Sequence, residues 1–259
     1  MKTYIINLPH NIERKGHAIK ELQNHPEFEI EFISAIYGAN LNDNEISSLV
    51  DTENKNSHFN NNINKAEIGC ALSHIKCYKQ FLKSQEELAL ILEDDILISK
   101  DINTILPLLS KIIQTHIPSI ILLTPNVDYK NEKQLNTKYN IGEVISGFTA
   151  LGYIINRAAA QILIKNLEPV HSVADNWGYF RKFGIKIYNI IPHPISWMSR
   201  NEIDSTITSI KTTNQPTEII QSNYILKIKL IIKNLILNIK RSKKSNRIWW
   251  NSNRIEKGF

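Results

Sequence analysis

The sequence is short of the residues that staple or punctuate small domains, with two Cys, nine Gly and nine Pro in 259 residues. Two cysteines, Cys70 and Cys77, exclude a disulfide framework. Seven positions apart on one helix, they would stand about 10 Å from each other, beyond bridging range. Long apolar runs are also missing. No stretch reaches the 18 or so uncharged apolar residues that cross a bilayer. Tyr4-Ile5-Ile6 is too short for a signal peptide's apolar core, and Asn7 interrupts it. The expected location is therefore cytoplasmic and at most peripheral to a membrane. Acid is absent from Ile219 to Ile255, where nine Lys and Arg stand, so that stretch carries +9 and leaves −3 of the net +6 on the rest.

What is abundant is isoleucine and asparagine, 45 and 29 residues. An AT-rich coding bias produces such usage, and it weakens Ile as a marker of strands. With 42% hydrophobic residues, 22% charged and a mean hydropathy of −0.24, the balance is globular and excludes a disordered chain. The expected division is a domain over 1–218 and a basic amphipathic tail over 219–259.

Strands are expected at Thr3–Leu8, Ile30–Ile36, Leu88–Leu92, Ser119–Leu123, Phe148–Asn156 and Ile185–Ile191. Helices are expected at Glu13–Gln23, with Ile12, Ile19 and Leu22 inward, at Glu67–Lys83, at 102–114 and at Ala158–Leu167. Asn64 followed by Glu67 reads as a capping box. Residues 40–64 and 126–143 read as polar excursions, the first long enough to suggest a functional loop. The alternation of strand and helix predicts an α/β fold with a mostly parallel central sheet.

Leu88–Leu92 runs straight into Glu93-Asp94-Asp95. In open α/β sheets ligands sit beyond the carboxyl ends of strands. Three adjacent carboxylates repel one another unless solvent or a cation offsets them. Extended geometry puts Glu93 and Asp95 on one face and Asp94 on the other. Oxygen ligands of this kind suit Mg²⁺ or Mn²⁺ carrying a diphosphate. A solvated acidic turn is the plainer alternative.

Ala66-Glu67-Ile68-Gly69-Cys70-Ala71-Leu72-Ser73-His74, followed some fifteen residues on by Leu90-Ile91-Leu92-Glu93-Asp94-Asp95, resembles bacterial glycosyltransferase family 25. Ile6-Asn7-Leu8 with Arg14, Ala35-Ile36-Tyr37-Gly38 and Gly147–Arg157 extend the resemblance over residues 3–200. It implies a GT-A-like nucleotide-sugar-binding fold and a UDP-sugar donor, UDP-galactose first. It also implies a divalent metal (Mn²⁺ ahead of Mg²⁺), inverting hexosyl transfer, and a lipooligosaccharide acceptor at the inner membrane. By that resemblance Asn7, Arg14, Ser73, His74 and Asp94 would bind the donor. Glu93 and Asp95 would bind the metal, with His193 as a further candidate ligand.

An inverting transfer needs a base for the acceptor hydroxyl. In Pro169–Trp177 the choice lies between His171 and Asp175; Asp175 is favoured, with Trp177 as an apolar platform for a sugar. In the tail, Ile225, Ile228, Ile232, Leu235, Ile236 and Ile239 would form one stripe of a helix flanked by Lys, with Trp249-Trp250 beyond. That pattern fits an interfacial helix on anionic lipid, or a helix packed on the domain. The rivals are a metal-dependent phosphoester hydrolase and a nucleic-acid-binding protein. No nucleic-acid partner is expected, because the basic stretch shares its helix with so much Ile and Leu.

Overall fold

In the computed structural model, which describes residues 1–55, 57–59, 64–197 and 246–248, strand β1 (Lys2–Asn7) forms the frame for its neighbours. It pairs in parallel with β2 (Glu29–Ser34) on one side and β3 (Leu88–Glu93) on the other. Beyond β3 the sheet continues through β8 (Gly152–Asn156), β5 (Ser119–Leu122), β9 (Lys186–Ile191), β7 (Asn140–Gly147), β6 (Val127–Gln134) and β11 (Asn246–Ile248). Strands β1, β2, β3, β5, β6 and β9 run in one direction; β7, β8 and β11 oppose them. The architecture is α/β, with a mixed sheet whose strands mostly share a direction. A separate pair joins β4 (Ile96–Ile98) to β10 (Ile195–Trp197).

Successive residues of a strand face opposite sides, and here both sides are apolar. Tyr4, Ile6, Ile91, Tyr153 and Ile155 face one core with α3 (Lys65–Lys83), α5 (Arg157–Leu167) and the short α6 (Trp177–Phe180). Ile5, Leu90, Leu92 and Ile154 face the other with α1 (Ile12–Leu22) and α4 (Ile102–Ile112). Strands buried on both faces read as continuous apolar runs, and Leu88–Leu92 is one. Fully burying each such side chain is worth about 1.5–3 kcal/mol.

Asparagines do much of the local wiring. Asn64 caps α3, its side chain accepting from the amides of Ala66 and Glu67. Asn156 is fully buried. Its Oδ1 accepts from Ala159 N, capping α5, and from Ser119 N at the start of β5, while Nδ2 donates to the carbonyls of Gln114 and Ile117.

Several expectations need correction. Residues 40–64 contain a helix, α2 (Asp43–Leu49), closed by a reciprocal capping box between Asn42 and Glu45. The excursion at 126–143 is largely the β6–β7 hairpin, whose buried Val127 and Tyr129 alternate with polar neighbours. On α1 the buried residues are Ala18 and Leu22, while Ile12 is 77% exposed and Ile19 49%. The strand expected from Phe148 begins at Gly152, which frees Phe148–Leu151 as a connecting segment. The proposed tail helix lies outside the described residues. Among the described residues, no helix is long and apolar enough to cross a membrane.

Candidate active site

The register of β1 on β3 places Ile6 opposite Glu93, so Asn7 and Asp94 emerge side by side at the carboxyl ends of their strands. Asn7 Nδ2 donates to Asp94 Oδ2 at 2.7 Å. Helix α1 starts almost at once, capped by Asn11, and brings Arg14 back over the triplet. Its guanidinium forks, with Nη1 3.0 Å from Asp94 Oδ1 and Nη2 3.2 Å from Asp95 Oδ2. The Arg14 fork is thus turned onto the chain's own carboxylates, and both Asp94 oxygens are engaged. Burial, opposed by Asn7 and Arg14, holds the Asp94 carboxyl above its ordinary range. Burial and the nearby Glu93 charge push Asp95 up to about 7.

Helix α3 supplies the opposite wall. Gly69 faces the segment that follows β2: a Cβ there would come within 2.6 Å of Ile36 O and Gly38 N. A Cβ on Gly38 would meet Lys65 O at 1.7 Å. Only two glycines allow this backbone-to-backbone approach. Ser73 locks it, accepting from Ile36 N at 2.8 Å and donating to Gly69 O at 2.6 Å. Five residues beyond Gly69 along α3, the buried His74 bonds through Nδ1 to Tyr153 OH (2.8 Å), which in turn bonds Tyr78 OH (2.8 Å). His74 Nε2 points toward Glu93, 3.5 Å from Oε1.

Two clefts result. The first is lined by Leu8, Arg14, Ile36, Ser73, Glu93 and Asp94, among others. The second, with a cavity of about 360 Å³, is lined by His58, Glu67, Phe148, Thr149, Asp175 and Asn176, among others. Cys70 and Glu93 belong to both. Burial and the neighbouring carboxylates raise the Cys70 thiol well above its ordinary range, which keeps it protonated. Burial, reinforced by the Glu93 charge, pushes Asp175 up to about 6.

A divalent cation has donors to meet here. Asp95 Oδ1 and His74 Nε2 are buried with no hydrogen-bond partner, and Glu93 lies between the clefts with its side chain 32% exposed. Ligand atoms of Cys70, His74 and Glu93 all fall within 4.8 Å of one another, and Asp95 is not part of that group. Carboxylate oxygens backed by an imidazole suit Mn²⁺ or Mg²⁺.

The structure thus gathers Asn7, Arg14, Ser73, His74, Glu93, Asp94 and Asp95, and places Asp175 on the adjoining cleft. It does not bring His193 to them. Trp197 pairs with Ile96, beside the triplet, whereas His193 lies before Ile195, which pairs with Ile98 at the far end. Trp177 is no platform. It is fully buried, and its Nε1 donates to Thr149 O at 3.0 Å. His171 is also buried, bonded through Nε2 to Tyr179 OH at 3.1 Å. Phe148, His58 and the Tyr153–Tyr78 pair belong to no sequence motif; the glycine before Phe148 is the local signal for that segment.

A family model described as "Glycosyltransferase family 25 (LPS biosynthesis protein)" matches residues 1–177. Human procollagen galactosyltransferase 2 is 24% identical over 211 residues, covering 73% of this chain and 34% of the relative. Procollagen galactosyltransferase 1-B of Xenopus laevis is 23% identical over 257 residues, covering 84% and 40%. The chain therefore spans about a third to two-fifths of the length of these relatives. Among solved structures, the inositol-1-phosphate CTP transferase from T. maritima aligns at 9% identity and a TM-score of 0.41, covering 82% of this chain and 94% of that one. A197 from STIV aligns at 10% identity and a TM-score of 0.37, covering 73% and 80%.

Proposed function

The chain belongs to glycosyltransferase family 25, and from that premise we propose that it transfers a hexosyl group, galactose first, from a UDP-sugar to a core sugar of a lipooligosaccharide, with inversion. The observation that carries this reading is the pair of clefts meeting at Glu93, one rimmed by the Asn7–Arg14–Asp94 cluster and the other by Asp175. A two-substrate transfer needs such an arrangement, with the reacting carbon at the junction.

On this reading the donor lies in the first cleft. Arg14 fixes Asp94 and Asp95 in place, so the triplet's geometry is set before substrate arrives, which is how a site lowers a barrier without reorganising. A divalent cation held by Glu93 and Asp95, with His74 beside them, would neutralise charge on the departing diphosphate. Asp175 takes the proton of the acceptor hydroxyl while that oxygen bonds to the anomeric carbon, and the bond to the UDP oxygen breaks with its electron pair. A carboxyl raised to about 6 is a stronger base than an ordinary aspartate and is still ionised at neutral pH. Residues 219–259 would hold the protein on an anionic membrane surface, where a lipid-linked acceptor resides.

The test is UDP release from several UDP-hexoses, with and without Mn²⁺ and acceptor sugar. Release that needs an acceptor supports transfer. Equal release without one would replace this reading by hydrolysis. Flotation with anionic liposomes, for the full chain and for a variant with Lys227, Lys229 and Lys233 changed to Gln, tests the attachment without removing β11; equal flotation of both forms rejects it.

A further inference from the structure

We infer that Phe148 is the platform on which a pyranose ring of the acceptor stacks, and that residues 147–150 are built to hold it there; this rests on the glycosyl-transfer reading above. Phe28, Phe59, Phe81 and Phe180 are buried, whereas Phe148 is 63% exposed and lines the same cleft as Asp175. An apolar ring left in water beside a catalytic carboxylate calls for an occupant.

The backbone that carries the ring is strained and braced. Thr149 has φ 145°, a conformation costly for a β-branched residue, and Asn126 has φ 69°. Phe148 N donates to Asn126 O at 3.2 Å, and the Asn126 side chain reaches Thr149 Oγ1 at 3.5 Å. The buried Trp177 holds Thr149 O through Nε1. Gly147 lies against the same indole, where an added Cβ would stand 3.3 Å from Trp177 Cδ1. Strain of this kind persists where the surroundings over-determine it, and it concentrates at ligand clamps. The indole that cannot itself reach a sugar thus fixes the segment that presents Phe148.

The occupant's chemistry follows from the surroundings. A pyranose offers an apolar C–H face to an aromatic ring and hydroxyls around its edge. Around Phe148 the cleft supplies Asp175, Asn176, Glu67 and His58, which can meet such hydroxyls. An acyl chain would take these polar groups out of water and offer no hydrogen bond in its place, at a cost. A cavity of about 360 Å³ falls in the range of small-molecule sites.

The test uses the full chain with Mn²⁺, a panel of UDP-hexoses and a panel of methyl hexopyranosides of both anomeric forms, following UDP release. Phe148→Ala should raise the KM of the best pyranoside about tenfold, or about 1.4 kcal/mol. The UDP-hexose dissociation constant by calorimetry and the melting temperature should stay the same, and Phe148→Trp should restore the pyranoside KM. An unchanged pyranoside KM in Phe148→Ala, or a Trp variant as poor as the Ala variant, overturns the platform. So does a parent protein whose UDP release no pyranoside accelerates. A parent that neither binds nor turns over any UDP-hexose overturns the glycosyl-transfer reading itself, and this inference with it.

Discussion

Replacing Arg14 by Ala leaves two adjacent carboxylates, Asp94 and Asp95, without the guanidinium that stands 3.0 and 3.2 Å from them. The side chains are mostly buried, with exposures of 11% for Arg14, 8% for Asp94 and 24% for Asp95. Water entering from the first cleft replaces the lost cation only in part. Breaking a buried pair from one side costs about 3–5 kcal/mol. For a chain of this size that corresponds to a fall of about 6–20 °C in melting temperature. The loss must also depend on pH. Asp95 in the parent already titrates at about 7, above its unfolded value near 3.9. Without Arg14 both carboxyls rise further. A folded value above the unfolded one gives a contribution that is most favourable below about pH 4 and is lost as pH rises through the folded value. The difference between parent and Arg14→Ala should therefore be large near pH 8 and shrink toward pH 5. Thermal or urea unfolding at both pH values measures it, and Arg14→Lys should fall between, since one ammonium cannot fork. A loss below about 1 kcal/mol near pH 8, or one of the same size at both pH values, would refute the buried-fork account.

Asp175→Asn should lower turnover by roughly 10²-fold or more with UDP-sugar binding unchanged; near-normal turnover would move the base elsewhere. In the parent, kcat/KM should rise with pH through about 6 and then level off, because the base must be ionised; an acid limb near 4 would mean that Asp175 is not the group seen. Gly69→Ala should destabilise by about 2 kcal/mol, because the new methyl meets Ile36 O and Gly38 N, although helix propensity alone predicts a gain of about 1 kcal/mol. The sign of the change in urea midpoint decides between them. Asn156→Asp should cost about 3 kcal/mol by placing a carboxylate against the carbonyls of Gln114 and Ile117, and chemical denaturation reads this directly.

The elements legible in the sequence were those whose burial is one-sided or complete. The apolar run Leu88–Leu92, the Asn64-capped helix and the strand–helix unit ending in Ala158–Leu167 each carry their own pattern. The β6–β7 hairpin was lost because Asp128, Lys130 and Glu143 face outward on an outer part of the sheet, and their polarity outweighs Val127, Tyr129 and Val144. On helix α1 Leu22 is inward as expected, but Ile12 and Ile19 are exposed, since isoleucine is so common here that it says little about the interior. The Asn42/Glu45 capping box of α2 stands before a helix of only seven residues, too short to show a period of its own. At the site, residue types pointed to the triplet, yet no spacing rule could reveal that Arg14 grips Asp94 and Asp95. The rule favouring aromatic platforms chose Trp177, because sequence does not show which ring is inside.

The first cleft draws its lining from residues 6–94, while the second, apart from His58, Glu67 and the shared Cys70 and Glu93, draws on 148–176. On the proposed reading, donor chemistry and acceptor choice are thus written in different stretches of the chain. Changes at sites that share no partners combine almost independently. A lineage, or an experimenter, can rewrite 148–176 to accept another sugar while the apparatus for activating the donor is inherited intact. Cys70 and Glu93, which line both clefts, and Asp175, the proposed base, resist such exchange.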